Sequence, residues 1–151
     1  MVSPFFADTS ALAKRYLVET GTNWVVGQIE PPTQNTVIIS QLTMVEMRSL
    51  LARRVREKIL TPEKSEAIKN DFLIHTEEEY LVVLLDTHVL TIASKLLDQH
   101  ILRALDAIQL ACALYAHDLL DEPITFLSAD NNLLQAAAAE GFATDNPNSH
   151  P

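Results

Sequence analysis

The chain is poor in the residues that build covalent cross-links and phosphate loops. It contains one cysteine, Cys112, so no intrachain disulfide can form and a reducing compartment is expected. Its three glycines stand apart from one another, which excludes a glycine-rich phosphate-binding loop. No apolar run approaches the ~18 residues needed to span a bilayer. We therefore expect a cytoplasmic protein that does not contact a membrane.

Positive charge is also scarce, and it is unevenly placed. The chain has 11 basic and 20 acidic residues, a net charge of −9. Five basic residues lie between Arg48 and Lys58, whereas no lysine or arginine follows Arg103. Nucleic-acid affinity comes largely from neutralised phosphates, so the total charge opposes such binding. The distribution fits one basic surface beside an acidic pocket as well as it fits a solvated helix end.

The length and composition predict a single folded unit. With 151 residues, 48% of them hydrophobic, the chain can bury a core without disulfides or a structural metal. No linker or internal repeat divides it. We predict one domain over residues 1–144 and a flexible tail over 145–151, because the tail is rich in proline, asparagine and serine.

Short apolar runs alternate with longer helical patterns along the chain. Strands are predicted at 5–7, 37–39, 80–85, 124–127 and 142–144. Helices are predicted at 11–17, 23–29, 41–58, 61–75, 86–99, 103–117 and 131–140. In one of them Thr61 is the expected N-cap, Pro62 the first helical residue, and Glu77–Glu79 a polar break before the next strand. This alternation predicts an α/β fold with a mainly parallel sheet, in which ligands bind beyond the carboxyl ends of the strands.

Acidic side chains interrupt apolar segments at four positions. An unpaired carboxylate among apolar neighbours is unfavourable, so each position needs an explanation. The four residues are Asp8, Glu46, Asp106 and Asp130.

Each acid also has a purely structural interpretation. Asp8 and Asp130 each come just after a predicted strand, where either can cap the next helix. Glu46 borders an apolar stripe and can pair with a basic side chain. Asp106 can be a first-turn acid stabilised by the helix dipole and by Arg103, three residues earlier.

Taken together, the acids favour a shared site. Two of them end strands and two lie early in helices, so all can meet at the carboxyl edge of the sheet. Clustered carboxylates raise one another's pKa unless a cation intervenes, and an all-oxygen cluster suits Mg²⁺ or Mn²⁺. Such a metal polarises a phosphoryl oxygen and activates water. The nearby hydroxyls of Thr9, Ser10 and Ser128 can support ligands or phosphate.

Three segments carry a resemblance to a known family. They read Asp-Thr-Ser-Ala-Leu at 8–12, Arg-Ala-Leu-Asp-Ala-Ile-Gln-Leu-Ala at 103–111, and Ser-Ala-Asp-Asn-Asn-Leu-Leu at 128–134. With Glu46 between the first two, they resemble the PIN domain, and most of all the VapC-type toxins of bacterial toxin–antitoxin systems. The likeness covers nearly the whole chain in order.

The resemblance implies a three-layer α/β/α fold and a Mg²⁺- or Mn²⁺-dependent ribonuclease that cleaves structured RNA. It also implies a homodimer and a small antitoxin that covers the active site. By position, the residues that match the acidic quartet are Asp8, Glu46, Asp106 and Asp130, and the supporting hydroxyls are those of Thr9, Ser10 and Ser128. One departure is Gln109, where many relatives carry histidine, and we assign it no catalytic role.

Two other enzyme classes and one non-enzymatic function are the alternatives. Phosphatases of the haloacid dehalogenase type place a second acid two residues after the first, where this chain has Ser10. Response-regulator receivers need a lysine late in the chain, and none follows Lys95. A catalytically silent PIN-like module that binds a basic protein partner remains an open alternative, because it suits the acidic charge balance.

Overall fold

A computed structural model describes residues 3–151 of the chain. The strands are β1 (Pro4–Ala7), β2 (Thr36–Ser40), β3 (Tyr80–Val83), β4 (Thr125–Leu127) and β5 (Ala143–Asp145). The helices are α1 (Thr9–Leu12), α2 (Thr22–Ile29), α3 (Leu42–Arg56), α4 (Pro62–Glu78), α5 (Thr87–Gln99), α6 (Ala104–Leu120) and α7 (Asn131–Ala139). Within residues 3–151, none of the helices is long and apolar enough to cross a membrane.

The five strands form one parallel sheet. Their order is β3-β2-β1-β4-β5, and each neighbouring pair is parallel. The chain leaves β1 towards β2 and reaches the other side of β1 only with β4, so the strand order reverses between β1 and β4. A crevice opens at such a reversal, beyond the carboxyl ends of the strands. Any ligand site is therefore expected where β1 and β4 end.

Helices cover both faces of the sheet. Successive strand residues point to opposite faces. Phe6 and Phe126 pack on one face with residues from α5, α6 and α7, whereas Phe5 and Leu127 pack on the other with residues from α1 to α4. The predicted three-layer α/β/α fold is confirmed, and the sheet is wholly parallel rather than mainly so.

Helix α4 begins as the sequence predicts but ends later. The Thr61 hydroxyl accepts a hydrogen bond from the backbone N–H of Lys64 at 3.2 Å, and Pro62 is the first helical residue. The helix then continues to Glu78, so the predicted break at Glu77–Glu79 is wrong by two residues. Glutamate is a good helix former, and consecutive acids are tolerated because they face solvent.

Residues of the segment 145–151, for which the sequence predicts a flexible tail, contact the domain in the structure. Pro147–Ser149 forms a 3₁₀ turn whose proline is buried. The ring of His150 stacks on Trp24, with centroids 4.2 Å apart. These contacts lie on α2, more than 100 residues away in the sequence, so no local sequence pattern reveals them.

Gly21 lets the tail approach α2, and we expect Gly21→Ala to destabilise the protein by about 2 kcal/mol or more. Its φ is +89°, and an added Cβ would lie 2.4 Å from the carbonyl oxygen of Pro147. The matched control is Gly27→Ala, because Gly27 lies inside α2 with nothing near its missing Cβ. That control should stabilise by about 1 kcal/mol. Urea unfolding measures both, and equal free energies of unfolding for the two variants would contradict the packing argument.

Candidate active site

A cavity of about 730 Å³ opens at the carboxyl edge of the sheet, where the strand order reverses. All four acids singled out in the sequence line it: Asp8, Glu46, Asp106 and Asp130. Thr9 and Ser10 also line it, whereas the Ser128 side chain is buried directly behind Asp8. Residues more than 120 positions apart in the sequence thus border one volume.

Asp8 is the most enclosed of the acids, with 5% of its surface exposed. Its Oδ1 accepts hydrogen bonds from the backbone N–H of Ala11 at 2.9 Å and the hydroxyl of Ser10 at 2.7 Å. Its Oδ2 accepts one from the hydroxyl of Ser128 at 2.6 Å. Asp8 therefore caps α1, which begins at Thr9, two residues earlier than predicted. Asp8 is thus a helix cap, as its structural interpretation predicts, and these hydrogen bonds also hold its carboxylate at the cavity wall.

Burial raises the pKa of Asp8 to about 6, because the charged form is desolvated. The hydrogen bonds from Ser128, Ala11 and Ser10 oppose this shift, and the negative charge of Glu46 adds to it. A carboxylate with such a pKa is held in an environment that favours a neighbouring cation.

Glu46 projects from α3 and is held by two donors. The hydroxyl of Thr9 and the side-chain amide of Gln109 each donate to its Oε1 at 2.8 Å. Its structural interpretation is an ion pair with a basic side chain, for which Arg53, on the same helix, and Lys14 are the candidates. In the described part of the chain Glu46 forms no ion pair, since Arg53 pairs with Glu57 and Lys14 with Glu19.

Asp106 lies in the first turn of α6 and is half-buried. Its Oδ2 is 3.7 Å from Nε of Arg103, the neighbour that the structural interpretation invoked. Arg103 is almost fully exposed, so this pair is weak. Desolvation raises the pKa of Asp106, and the negative charges of Asp130 and Glu46 raise it further, outweighing Arg103. Asp106 therefore interacts electrostatically with two of the other acids, Asp130 and Glu46.

Asp130 ends the segment after β4 and caps α7. Its Oδ1 accepts from the backbone N–H groups of Asn132 at 2.9 Å and Leu133 at 3.3 Å. Its own N–H donates to the Ser128 hydroxyl at 3.0 Å, the same hydroxyl that donates to Asp8. The C-terminal segment supports this turn, because the Asn146 amide donates to the side chain of Asn131 at 2.9 Å.

A family model described as the PIN domain matches residues 5–139. The chain belongs to the PIN-domain family. The match spans the four acids and the whole sheet except β5. A comparison with curated proteins gives no match.

Solved structures share the fold of this PIN domain. The crystal structure of VapBC2 from Rickettsia felis, bound to a DNA fragment from its promoter, is 10% identical with a TM-score of 0.65, covering 97% of this chain and 98% of that one. The structure of FitAB bound to an IR36 DNA fragment is 17% identical with a TM-score of 0.63, covering 95% and 94%. FitAcB from Neisseria gonorrhoeae is 18% identical with a TM-score of 0.59, covering 95% and 97%.

The acids of this PIN domain are suited to a partly hydrated divalent ion. Within residues 3–151, no three acidic, histidine or cysteine side chains are grouped closely enough to enclose a metal by themselves. Mg²⁺ does not require such a cage, because it keeps several waters and binds through one or two carboxylates. The cavity has room for those waters, and the raised pKa values of Asp8 and Asp106 are what an added cation would offset. The donor set therefore fits a hard divalent cation.

Basic side chains also line the cavity. Lys14, Arg53 and Arg54, here called the basic wall, do so from the turn after α1 and from α3, and Arg103 lies beside Asp106. The Lys14 side chain is 5% exposed and pairs with Glu19 at 3.2 Å. Basic and acidic side chains therefore line the same cavity, although the net charge of the chain is −9.

Sequence reasoning missed two polar residues beside the acids. Neither Gln109 nor Thr43 is among the site residues that the sequence predicts, yet both are buried and hydrogen-bonded to each other at 3.1 Å. The available signal was helical spacing, since each lies three residues from an acid, Asp106 or Glu46, on the same helix face.

Proposed function

We propose that this PIN domain is a divalent-metal-dependent endoribonuclease and the toxin of a toxin–antitoxin pair. The observation that carries the proposal is the convergence of Asp8, Glu46, Asp106 and Asp130 on one cavity beside a basic wall. Parallel strand pairing accounts for the position of the helix caps Asp8 and Asp130. It does not account for Glu46 and Asp106, which cap no helix and yet line the same cavity. The family's usual nuclease activity supports the same conclusion.

In this proposal the four acids hold Mg²⁺ or Mn²⁺. The metal, when bound, supplies Lewis-acid polarisation of a phosphoryl oxygen and a more acidic water. The chain's own contribution is orientation. Ser10 and Ser128 fix the two oxygens of Asp8, and Thr9 fixes one oxygen of Glu46. Such prior fixing lowers the reorganisation needed to reach the transition state.

The basic wall gives the phosphodiester backbone a place to lie. Arg53 and Arg54 are partly exposed near the end of α3, and within residues 3–151 each pairs only with Glu57, at 3.8 and 3.7 Å respectively. Pairs of that length at exposed sites are weak, so both guanidinium groups are available to neutralise phosphates. Hydrolysis adds water across one phosphorus–oxygen bond of the RNA strand.

A protein partner is part of the proposal. The neighbouring FitAB and VapBC2 structures are complexes, and the cavity mouth here carries exposed apolar side chains. Val45 is 68% exposed and Leu105 is 50% exposed. Exposed apolar groups around an acidic cavity suit a small antitoxin that covers it with apolar and basic side chains. The proposal also includes a homodimer and a cytoplasmic location, which the resemblance to VapC-type toxins implies.

The proposal is tested by incubating the purified chain with structured RNA and matched DNA, in Mn²⁺, Mg²⁺ or a chelator. We expect RNA cleavage that needs the metal and stops in the chelator. Calorimetric titration with Mn²⁺ alone should show binding. Absence of both metal binding and cleavage would instead favour the silent protein-binding module.

A further inference from the structure

The Gln109 amide is buried beside the acids and directed at one of them. Gln109 lies on α6, three residues after Asp106, with 2% of its surface exposed. Its Nε2 is 2.8 Å from Oε1 of Glu46, 3.1 Å from Oγ1 of Thr43 and 3.3 Å from Oγ1 of Thr9. One amide nitrogen therefore meets three oxygen atoms on two other helices.

The other end of the same amide has no partner. Oε1 of Gln109 is buried and is the one fully buried side-chain nitrogen or oxygen in residues 3–151 without a hydrogen bond. Glu46 determines this orientation, because an ionised carboxylate only accepts and so must face the amide nitrogen. An unpartnered buried oxygen destabilises a fold, so an apolar residue would serve the core better. The orientation is therefore explained by Glu46 rather than by stability.

Gln109 and Thr9 act on the same oxygen of Glu46. Both donate to Oε1, and no described residue bonds Oε2. Two donors on one oxygen restrict the orientation of the carboxylate, and they leave the second oxygen of this cavity-lining residue without a hydrogen bond within residues 3–151. Thr43 completes the arrangement. Its hydroxyl oxygen is 3.1 Å from the hydroxyl oxygen of Thr9 and 3.1 Å from the amide nitrogen of Gln109.

We propose that Gln109 is a positioning residue, which holds Oε1 of Glu46 so that the other oxygen is presented to the metal ion. The inference rests on the proposed function and deepens it. Gln109 itself touches neither metal nor substrate, and it acts only through Glu46. This role differs from that of a core residue, because its removal should weaken the site without weakening the fold.

The test compares Gln109→Met, which keeps the side-chain length without a donor, with Gln109→His, which restores an N–H donor. We expect Gln109→Met to bind Mn²⁺ and to cleave RNA about 10- to 100-fold less well. Its melting temperature should equal or exceed that of the wild type, because the unpartnered oxygen is gone. Gln109→His should recover most of the loss. The double variant with Glu46→Gln should be no worse than Glu46→Gln alone.

Two outcomes would overturn the inference. One is a Gln109→Met variant that binds Mn²⁺ and cleaves RNA like the wild type. The other is a crystal structure of that variant in which the Glu46 carboxylate has not moved. The second readout needs no activity, so it still decides the role of Gln109 if the wild type neither binds Mn²⁺ nor cleaves RNA, a result that would refute the proposed function instead.

Discussion

Asp8→Asn is expected to abolish RNA cleavage and at the same time to stabilise the metal-free protein. The amide keeps the capping oxygen for the N–H of Ala11, so the fold should survive. It removes the charge through which Asp8 would hold a cation. Losing several kcal/mol of metal-assisted stabilisation corresponds to a rate lower by roughly 10³-fold.

The stability gain follows from the pKa of Asp8, which burial raises from 3.8 to about 6. The folded protein then binds this proton more tightly than the unfolded chain does. Stability from Asp8 is therefore present at low pH and is lost as the pH rises from about 4 through 6. At neutral pH the neutral amide avoids that penalty, and we expect a gain of about 1–3 kcal/mol.

Urea unfolding in chelator at pH 5 and pH 7 measures this gain. The wild type should be more stable at pH 5 than at pH 7, and Asp8→Asn should lose most of that difference. Asp106, whose pKa is also raised, accounts for a remainder. The matched control is Asp71→Asn, an exposed acid on α4 outside the cavity, which should change neither cleavage nor pH dependence. If Asp8→Asn cleaves RNA as the wild type does, Asp8 is not part of the active site.

Asp106→Asn is expected to remove Mn²⁺ binding with little effect on the fold. Asp106 has a single weak ion pair, so few folding contacts depend on its charge. The negative charges of Asp130 and Glu46 raise its pKa, which places it within electrostatic reach of both. Because affinity for hard cations depends on the number of charged oxygen ligands, we expect binding to weaken roughly 100-fold or more.

Calorimetry with Mn²⁺ on the wild type and on Asp106→Asn measures this loss. Asp118→Asn is the matched control on the same helix, because that carboxylate is 80% exposed and far along α6 from the cavity. The control should bind Mn²⁺ like the wild type. Equal affinities for wild type and Asp106→Asn would show that the ion, if it binds, is held without Asp106.

The sequence by itself predicts the parallel sheet and the edge of that sheet at which the acids lie. Strands such as β2, with its run of Val37, Ile38 and Ile39, are apolar on both faces, and that pattern is typical of a buried parallel sheet. Asp8 comes directly after β1 and Asp130 lies three positions beyond the last residue of β4, so parallel pairing alone brings both to the same edge. These features depend on local periodicity and on the direction of the strands, which a linear sequence records.

Only the tertiary structure decided what surrounds the acids. Gln109 and Thr9 meet Glu46 across 63 and 37 residues of sequence, and Ser128 meets Asp8 across 120. The tail that composition marked as flexible packs on Trp24. Hydrogen bonds between distant side chains depend on distances of a few tenths of an ångström, whereas residue type and spacing specify only which face of which element a side chain occupies.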